Sequence, residues 1–213
     1  MKKYLGIAIL FACSASVFAA EPKALYVNNF DKAEVGKVPD DFLVLDGGFA
    51  VQEESGNKFL ELPGAPLDTF GLLFGPTETN NVSASARIFG TGKGRRFPAF
   101  AIGLNGVGGL KLQVSPAKKL VELYRGEEVV ATAPYTWESG TWTMLRLDVR
   151  KIKEGEFKVQ GKVWKQEGKE PQARTIDYNL MGDLPAGRAA IWGNPFSGTP
   201  IRFDDLTVSP LEK

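Results

Sequence analysis

The sequence predicts an all-β protein, built as a two-sheet antiparallel sandwich. Three observations carry that prediction. The stretch Trp137–Trp164 alternates apolar and polar residues through two long arms. Turn-forming residues recur roughly every eight to twelve positions along the rest of the chain, the spacing of an all-β domain. No convincing helix can be read anywhere in the chain.

The hairpin comes first because it fixes the architecture. Leu145, Leu147 and Val149 share one face of its first arm, with Arg146, Asp148 and Arg150 on the other. In the second arm Phe157, Val159 and Val163 oppose Lys158, Gln160 and Lys162. Side chains alternate across a strand, so this sheet has one dry and one wet face. Lys153, Glu154 and Gly155 form the turn, where glycine supplies the positive φ that a tight hairpin requires. Arms this long need a second sheet to cover their apolar side.

The other elements follow in order. Ala24–Asn28 reads as a short strand, and Gly36 and Pro39 mark the loop before Phe42–Leu45. The turn Asp46-Gly47-Gly48 leads to Phe49–Glu53, and Ser55-Gly56-Asn57 leads to Lys58–Leu62. Pro63–Asp68 is rich in breakers, and Thr69–Phe74 is an apolar, buried strand. In Asn81–Phe89, Val82, Ala84, Ala86 and Ile88 fall on one face. Gly90–Arg96 reads GTGKGRR, a flexible basic loop without the spacing of a phosphate loop. Pro98–Leu104 and Leu110–Ser115 pair around Asn105–Gly109, and Leu120–Arg125 pairs with Glu128–Ala133 around Gly126. Lys165–Pro171 is a polar loop, Ala173–Tyr178 and Arg188–Trp192 are strands, and Ile201–Val208 closes the domain. That makes about fourteen strands in one sandwich, residues 20–213.

Composition narrows the chemistry. A 43% hydrophobic content in 213 residues supports a sizeable core. With 26 basic and 25 acidic residues the chain lacks the field that holds nucleic acid. There is no histidine, which excludes a Ser-His-Asp triad, a Cys-His pair and every histidine-ligated metal site. The one cysteine is Cys13. Lys2 and Lys3, the apolar run Tyr4–Ala12 and the small residues Val17 and Ala19 read as a signal peptide, residues 1–19. The apolar run is too short for a permanent membrane span. Removing residues 1–19, with Lys2 and Lys3, leaves 24 basic against 25 acidic residues, a net charge of −1. The mature protein is then secreted or periplasmic. A second reading takes Leu10–Cys13 as a lipobox, with a lipoprotein anchored at Cys13.

Four segments resemble the concanavalin A-like jelly-roll superfamily, and within it laminin-G-like and 3-keto-disaccharide-hydrolase-type domains. NNFDKAEVGKVPDDFLVLDGGFAV is similar to the family's opening, and SGNKFLEL to the next strand. WESGTWTMLRLDV is similar to its central W-x-x-G-x-W-x-x-L-x-L-x-V segment, and IRFDDLTV to its closing strand. The resemblance implies a jelly roll, and a family of sugar binders, glycosidases and domains of unknown role. Jelly rolls often set the first strand beside the last. Asp31 and Asp204 resemble acidic positions that hold a structural calcium in some such modules, which wants six to eight oxygens. The alternative for the pair is turn chemistry at Asp31 and an exposed strand-end charge at Asp204.

The family's glucanases carry alternating carboxylates on one strand, and no E-x-D-x-x-E pattern is present here. Asp148, between Arg146 and Arg150, reads as a surface ion pair. Aromatic rings are the better candidates. Flat π surfaces dock on the apolar C–H faces of sugars, and Trp164 follows the polar register of its arm. Trp192 leads into a loop where Asn194 presents an amide. Trp164, Trp192, Asn194 and Tyr124 are therefore the candidate ligand-binding residues, whereas Trp137 and Trp142 read as packing. The leading expectation is a secreted, non-catalytic carbohydrate-binding or cell-envelope interaction domain with a polysaccharide partner. An enzyme acting on glycosidic bonds and a structural or adhesion domain stay open beside it.

Overall fold

A computed structural model describes residues 23–65, 68–196 and 198–211. Residues 1–19, read above as a signal peptide, lie outside the described residues, and Cys13 with them. Fifteen strands follow one another along the described chain: β1 Tyr26–Asn28, β2 Leu43–Asp46, β3 Ala50–Glu54, β4 Asn57–Leu62, β5 Phe70–Glu78, β6 Val82–Gly90, β7 Ala99–Leu104, β8 Leu110–Ser115, β9 Leu120–Arg125, β10 Glu128–Pro134, β11 Trp142–Lys153, β12 Glu156–Lys165, β13 Ile176–Met181, β14 Gly187–Asn194 and β15 Ile201–Pro210. A single 3-10 turn at Pro116–Lys118 is the only helical element among the described residues.

The strands form two antiparallel sheets. The eight-stranded sheet runs β13-β12-β11-β6-β15-β4-β3, with β1 added alongside β15. The seven-stranded sheet runs β10-β9-β8-β7-β14-β5-β2. The expected hairpin is present as β11 and β12, with Leu145 opposite Val163 and Val149 opposite Val159. Its turn is tighter than expected. Lys153 pairs with Glu156 across Gly155, which takes φ 67°, and a bulge after Lys151 absorbs the difference. First and last strands lie side by side, Tyr26 facing Val208. A bulge at Asp204–Thr207, where Asp205 takes φ 49°, lets β15 serve β4 with one half and β1 with the other.

The apolar faces meet between the sheets. Leu145, Leu147, Val149 and Val159 from one sheet and Ile102, Leu112, Leu123 and Ile191 from the other are all fully buried. Closeness of the layers is set locally by glycine. A Cβ on Gly161 of β12 would lie 2.7 Å from Leu112 Cδ1 across the sandwich. Trp137 packs on the rim of this core, edge-on to Phe100 at 6.0 Å.

The polar face of β11 and β12 is not uniformly wet. Residues 166–175 form a loop ahead of β13, which begins later than the expected Ala173. From that loop Glu170 accepts a 2.6 Å bond from Lys162 Nζ, and Arg174 lies 3.7 Å from Asp148. Asp148 also pairs with Arg146 Nε at 2.8 Å, as the spacing predicts, yet it is only 4% exposed rather than a surface group. Buried charges persist only when paired, and here each buried charge has its opposite.

Candidate functional site

A groove on the outer face of the seven-stranded sheet follows from the sizes of alternate residues. In β7, Phe100, Ile102 and Leu104 turn inward to the core. Ala99, Ala101 and Gly103 therefore face out, and the middle of the sheet carries almost no side chain there. Flanking strands are bulkier on the same face. Trp192 of β14 pairs with Ala101, and Asn194 with Ala99. On the other side Gly103 pairs with Lys111 of β8, which pairs with Tyr124 of β9. A trough results, with an indole on one bank and a phenol on the other. Its volume is about 700 Å³.

Two glycines make the bed for Trp192. A Cβ on Gly71 of β5 would stand 2.3 Å from its Cε3, and one on Gly103 would stand 3.3 Å from its Nε1. One end of the trough is closed by the loop Asn105–Gly109. Asn105 takes φ 67° and is buried, its amide donating to the carbonyls of Thr79 at 2.8 Å and Pro185 at 2.9 Å. Asn194 closes the other end, donating to Thr69 Oγ1 at 2.6 Å and to the Asp68 carbonyl at 3.1 Å.

The charges here are a locked carboxylate, Glu122, an exposed one on the rim, Glu127, and an open cation, Lys111. Glu122, 3% exposed, accepts from Ser115 Oγ at 2.5 Å, Lys118 Nζ at 2.9 Å and Tyr124 Oη at 3.3 Å. Burial by itself raises this carboxyl. The bonds from Ser115 and Lys118, with the charge of that ammonium, outweigh burial and hold it below its ordinary value. Tyr124 is pushed up by burial and by the Glu122 charge, so its hydroxyl stays protonated. Lys111 Nζ lies 4.4 Å from the centre of the Tyr124 ring and 5.9 Å from that of Trp192. Its ammonium is lowered chiefly by burial, which Glu122 and Glu127 partly counter. Gln113, beside Lys111 on the same face, donates to Ser115 Oγ at 2.9 Å.

The structure thus gathers three sequence candidates, Trp192, Asn194 and Tyr124, along one trough. Trp164 is not with them. It faces outward as its register predicts, but on the eight-stranded sheet, opposite Met144 and on the far side of the sandwich. Trp142 also lies on that far face, packed against Phe89 at 5.5 Å and under the Arg87 guanidinium at 4.6 Å. Lys111 and Gln113 were missed. Their signal was the alternation Lys111, Gln113, Ser115 in a strand read only for its apolar half.

Asp31 and Asp204, the pair of the calcium expectation, each have side-chain partners of their own. Asp204 is fully buried and accepts from Arg87 Nη2 at 2.6 Å, Asn57 Nδ2 at 3.1 Å and the Asp205 N–H at 2.7 Å. The Arg87 guanidinium thus already stands on one oxygen of this carboxylate. Asp31 is exposed and accepts from Asn29 Nδ2 at 2.6 Å, while Lys58 Nζ donates to the carbonyls of Ala33 and Asp31. Among the described residues no cluster of three acidic, cysteine or histidine side chains could hold a metal ion.

The chain matches no protein-family model and no curated protein. Three of the solved structures to which it is similar show the likeness at low identity. One is the carbohydrate-binding module CBM66 from Bacillus subtilis, at TM-score 0.56 and 13% identity over 79% of this chain and 95% of that one. Another is the metal-free carbohydrate recognition domain of Emp46p, at TM-score 0.61 and 12% identity over 91% and 100%. A third is a protein of unknown function with a galectin-like fold from Bacillus subtilis, at TM-score 0.59 and 13% identity over 89% and 97%. At such identities the likeness concerns the fold alone. The chain is a two-sheet antiparallel sandwich that shares the jelly-roll fold of these structures.

Proposed function

We propose that this chain is a glycan-binding module whose ligand lies in the trough of the seven-stranded sheet. The observation that carries the reading is that the Trp192 indole and the Tyr124 ring line one trough, with the Lys111 ammonium between them. A sugar ring buries its C–H face on such rings, and the trough is roomy enough to hold one. Gln113 and Asn194 place amide groups at the level of the hydroxyls. The names of the similar structures, a carbohydrate-binding module and a carbohydrate recognition domain, support the same reading. A laminin-G-like domain is the finer form of this reading, and a glycosidic-bond-acting enzyme of the 3-keto-disaccharide-hydrolase type is its rival.

Binding without cleavage is supported by the state of Glu122. Glycoside hydrolysis needs a carboxyl that is protonated at working pH, with a second carboxylate placed across the bond. Glu122 is held ionised and occupied by Ser115 and Lys118. Residues 1–19 support export, and the domain then works in the periplasm or outside the cell.

Retention of the mature protein on immobilised polysaccharides, with reducing sugar followed in parallel, tests the proposal. We expect retention without release. Trp192→Ala should weaken binding about thirtyfold or more, the loss of one interface anchor. Release of reducing sugar, or undiminished binding by a folded Trp192→Ala variant, would overturn the reading.

A further inference from the structure

We infer that the trough takes an acidic glycan, with an anionic group of the sugar seated on Lys111 and the chain continuing past Asn194 toward the basic loop 90–96. This rests on the glycan-binding reading above and adds the ligand's charge to it. Two independent observations carry it.

The first is Lys111 itself. Its ammonium is half-buried between two aromatic rings and faces the trough. It makes no hydrogen bond or ion pair with any described residue. The carboxylates that act on it are Glu122, committed to Ser115, Lys118 and Tyr124, and Glu127 on the exposed rim. A partly dehydrated ammonium with open donors is completed by a carboxylate or sulfate oxygen, and such a bond is stronger than one to a neutral hydroxyl.

The second is the loop that the strand pattern left without a role. Lys93, Arg95 and Arg96 are exposed, and none of their side chains has a hydrogen-bond or ion-pair partner among the described residues. The loop is closed by backbone bonds between Lys93 and Arg96, and it runs directly into Ala99, which lines the trough. Lys93 reaches the turn that follows Asn194, because a Cβ on Gly198 would lie 3.4 Å from its Nζ. The carboxylate nearest that end in sequence, Asp68, accepts the Thr69 N–H at 2.7 Å. A polyanion leaving the trough at Asn194 therefore meets Lys93 and the loop that carries Arg95 and Arg96, three cations without a hydrogen-bond or ion-pair partner among the described residues.

The test uses oligogalacturonate, its methyl ester, a sulfated heparin oligosaccharide and a neutral cello-oligosaccharide, titrated into the mature protein by calorimetry. At about 50 mM salt an anionic ligand should bind at least about tenfold more tightly than its neutral counterpart, with the advantage shrinking toward about 500 mM as the charges are screened. Comparison of the uronate and heparin arms measures what sulfate adds to carboxylate. Lys111→Met should bring the ratio of uronate to ester affinity close to one, and Lys111→Arg should restore part of it. Arg95→Ser with Arg96→Ser should weaken a hexamer more than a dimer. Equal affinity for uronate and ester, or an unchanged ratio in a folded Lys111→Met variant, overturns the acidic-ligand inference and leaves the glycan-binding reading standing. No binding in any arm, neutral included, overturns both.

Discussion

Replacing Gly71 with alanine places one methyl group against the face of the Trp192 indole. The added Cβ would stand 2.3 Å from Cε3, 2.6 Å from Cζ3 and 2.9 Å from Cδ2, where ordinary contact begins at 3.4 Å. The ring must therefore retreat by about an ångström, tilting toward the trough. Gly71 does not take a positive φ, so alanine meets no backbone strain and even restricts the unfolded chain. The destabilisation comes from the displaced ring, and overpacking of this kind costs about 1–3 kcal/mol. In a domain of this size that is a fall of roughly 2–12 °C in melting temperature. Glycan affinity should fall by at least about tenfold, because a sugar platform moved by an ångström no longer matches its ligand. A double-mutant cycle isolates the cause. In a Trp192→Ala background the methyl has space, so Gly71→Ala should there be neutral or slightly stabilising, giving a coupling of about 1–3 kcal/mol. Thermal unfolding and titration calorimetry on the four proteins measure both quantities. Equal destabilisation in the two backgrounds would refute the reasoning, since glycine would then be needed for its backbone and not for the ring.

Other outcomes follow from the buried charges and the core. Arg87→Met leaves the Asp204 carboxylate buried without its guanidinium, at a cost of about 3–5 kcal/mol at neutral pH. Burial already raises Asp204, so its folded form holds a proton to higher pH than the unfolded chain does. Stability from this group is greatest at low pH and falls as pH rises through the folded value. The Arg87→Met deficit should accordingly shrink between about pH 7 and pH 4.5 in urea titrations. Glu122 runs the other way. Its lowered carboxyl contributes stability above the ordinary value of 4.5 and loses it as pH falls through the folded value. Glu122→Gln should cost about 1–3 kcal/mol at pH 7 and less in acid, and a constant deficit across that range would refute the assignment. Leu147→Ala, at a fully buried position between the sheets, should cost about 2–5 kcal/mol in denaturant unfolding without altering the trough's ligand preference.

Much of this architecture is legible without coordinates. Strand periodicity is two, so each apolar set names its own buried face, and Leu145, Leu147 and Val149 all lie where the alternation puts them. Turns are legible for a similarly local reason, as Gly155 illustrates. The polar face was less readable, because Asp148 and Lys162 are buried by a loop that arrives from residues 166–175. No local pattern in β11 or β12 announces that cover. The ion pair of Asp148 with Arg146 was readable, since both lie on one strand two positions apart, whereas its burial was not.

The candidate site divides along the same line. Alternation establishes that Trp164 and Trp192 both point away from the core, and it says nothing about which sheet each strand joins. Strand order decides that, and it pairs β14 with β7 and β5 while sending β12 to the opposite layer. Trp192 thereby gains a bed of glycines and a trough shared with Tyr124, and Trp164 gains Met144. The adjacency of the first and last strands was foreseeable, but the partner of Asp204 was not, because Arg87 comes from a strand more than a hundred residues away. By itself the sequence determined the β class, the buried face of each strand and the absence of histidine chemistry, all of which depend on residue identity and short-range spacing. Only the tertiary structure decided which outward residues share a surface, because that depends on contacts between strands far apart in the chain.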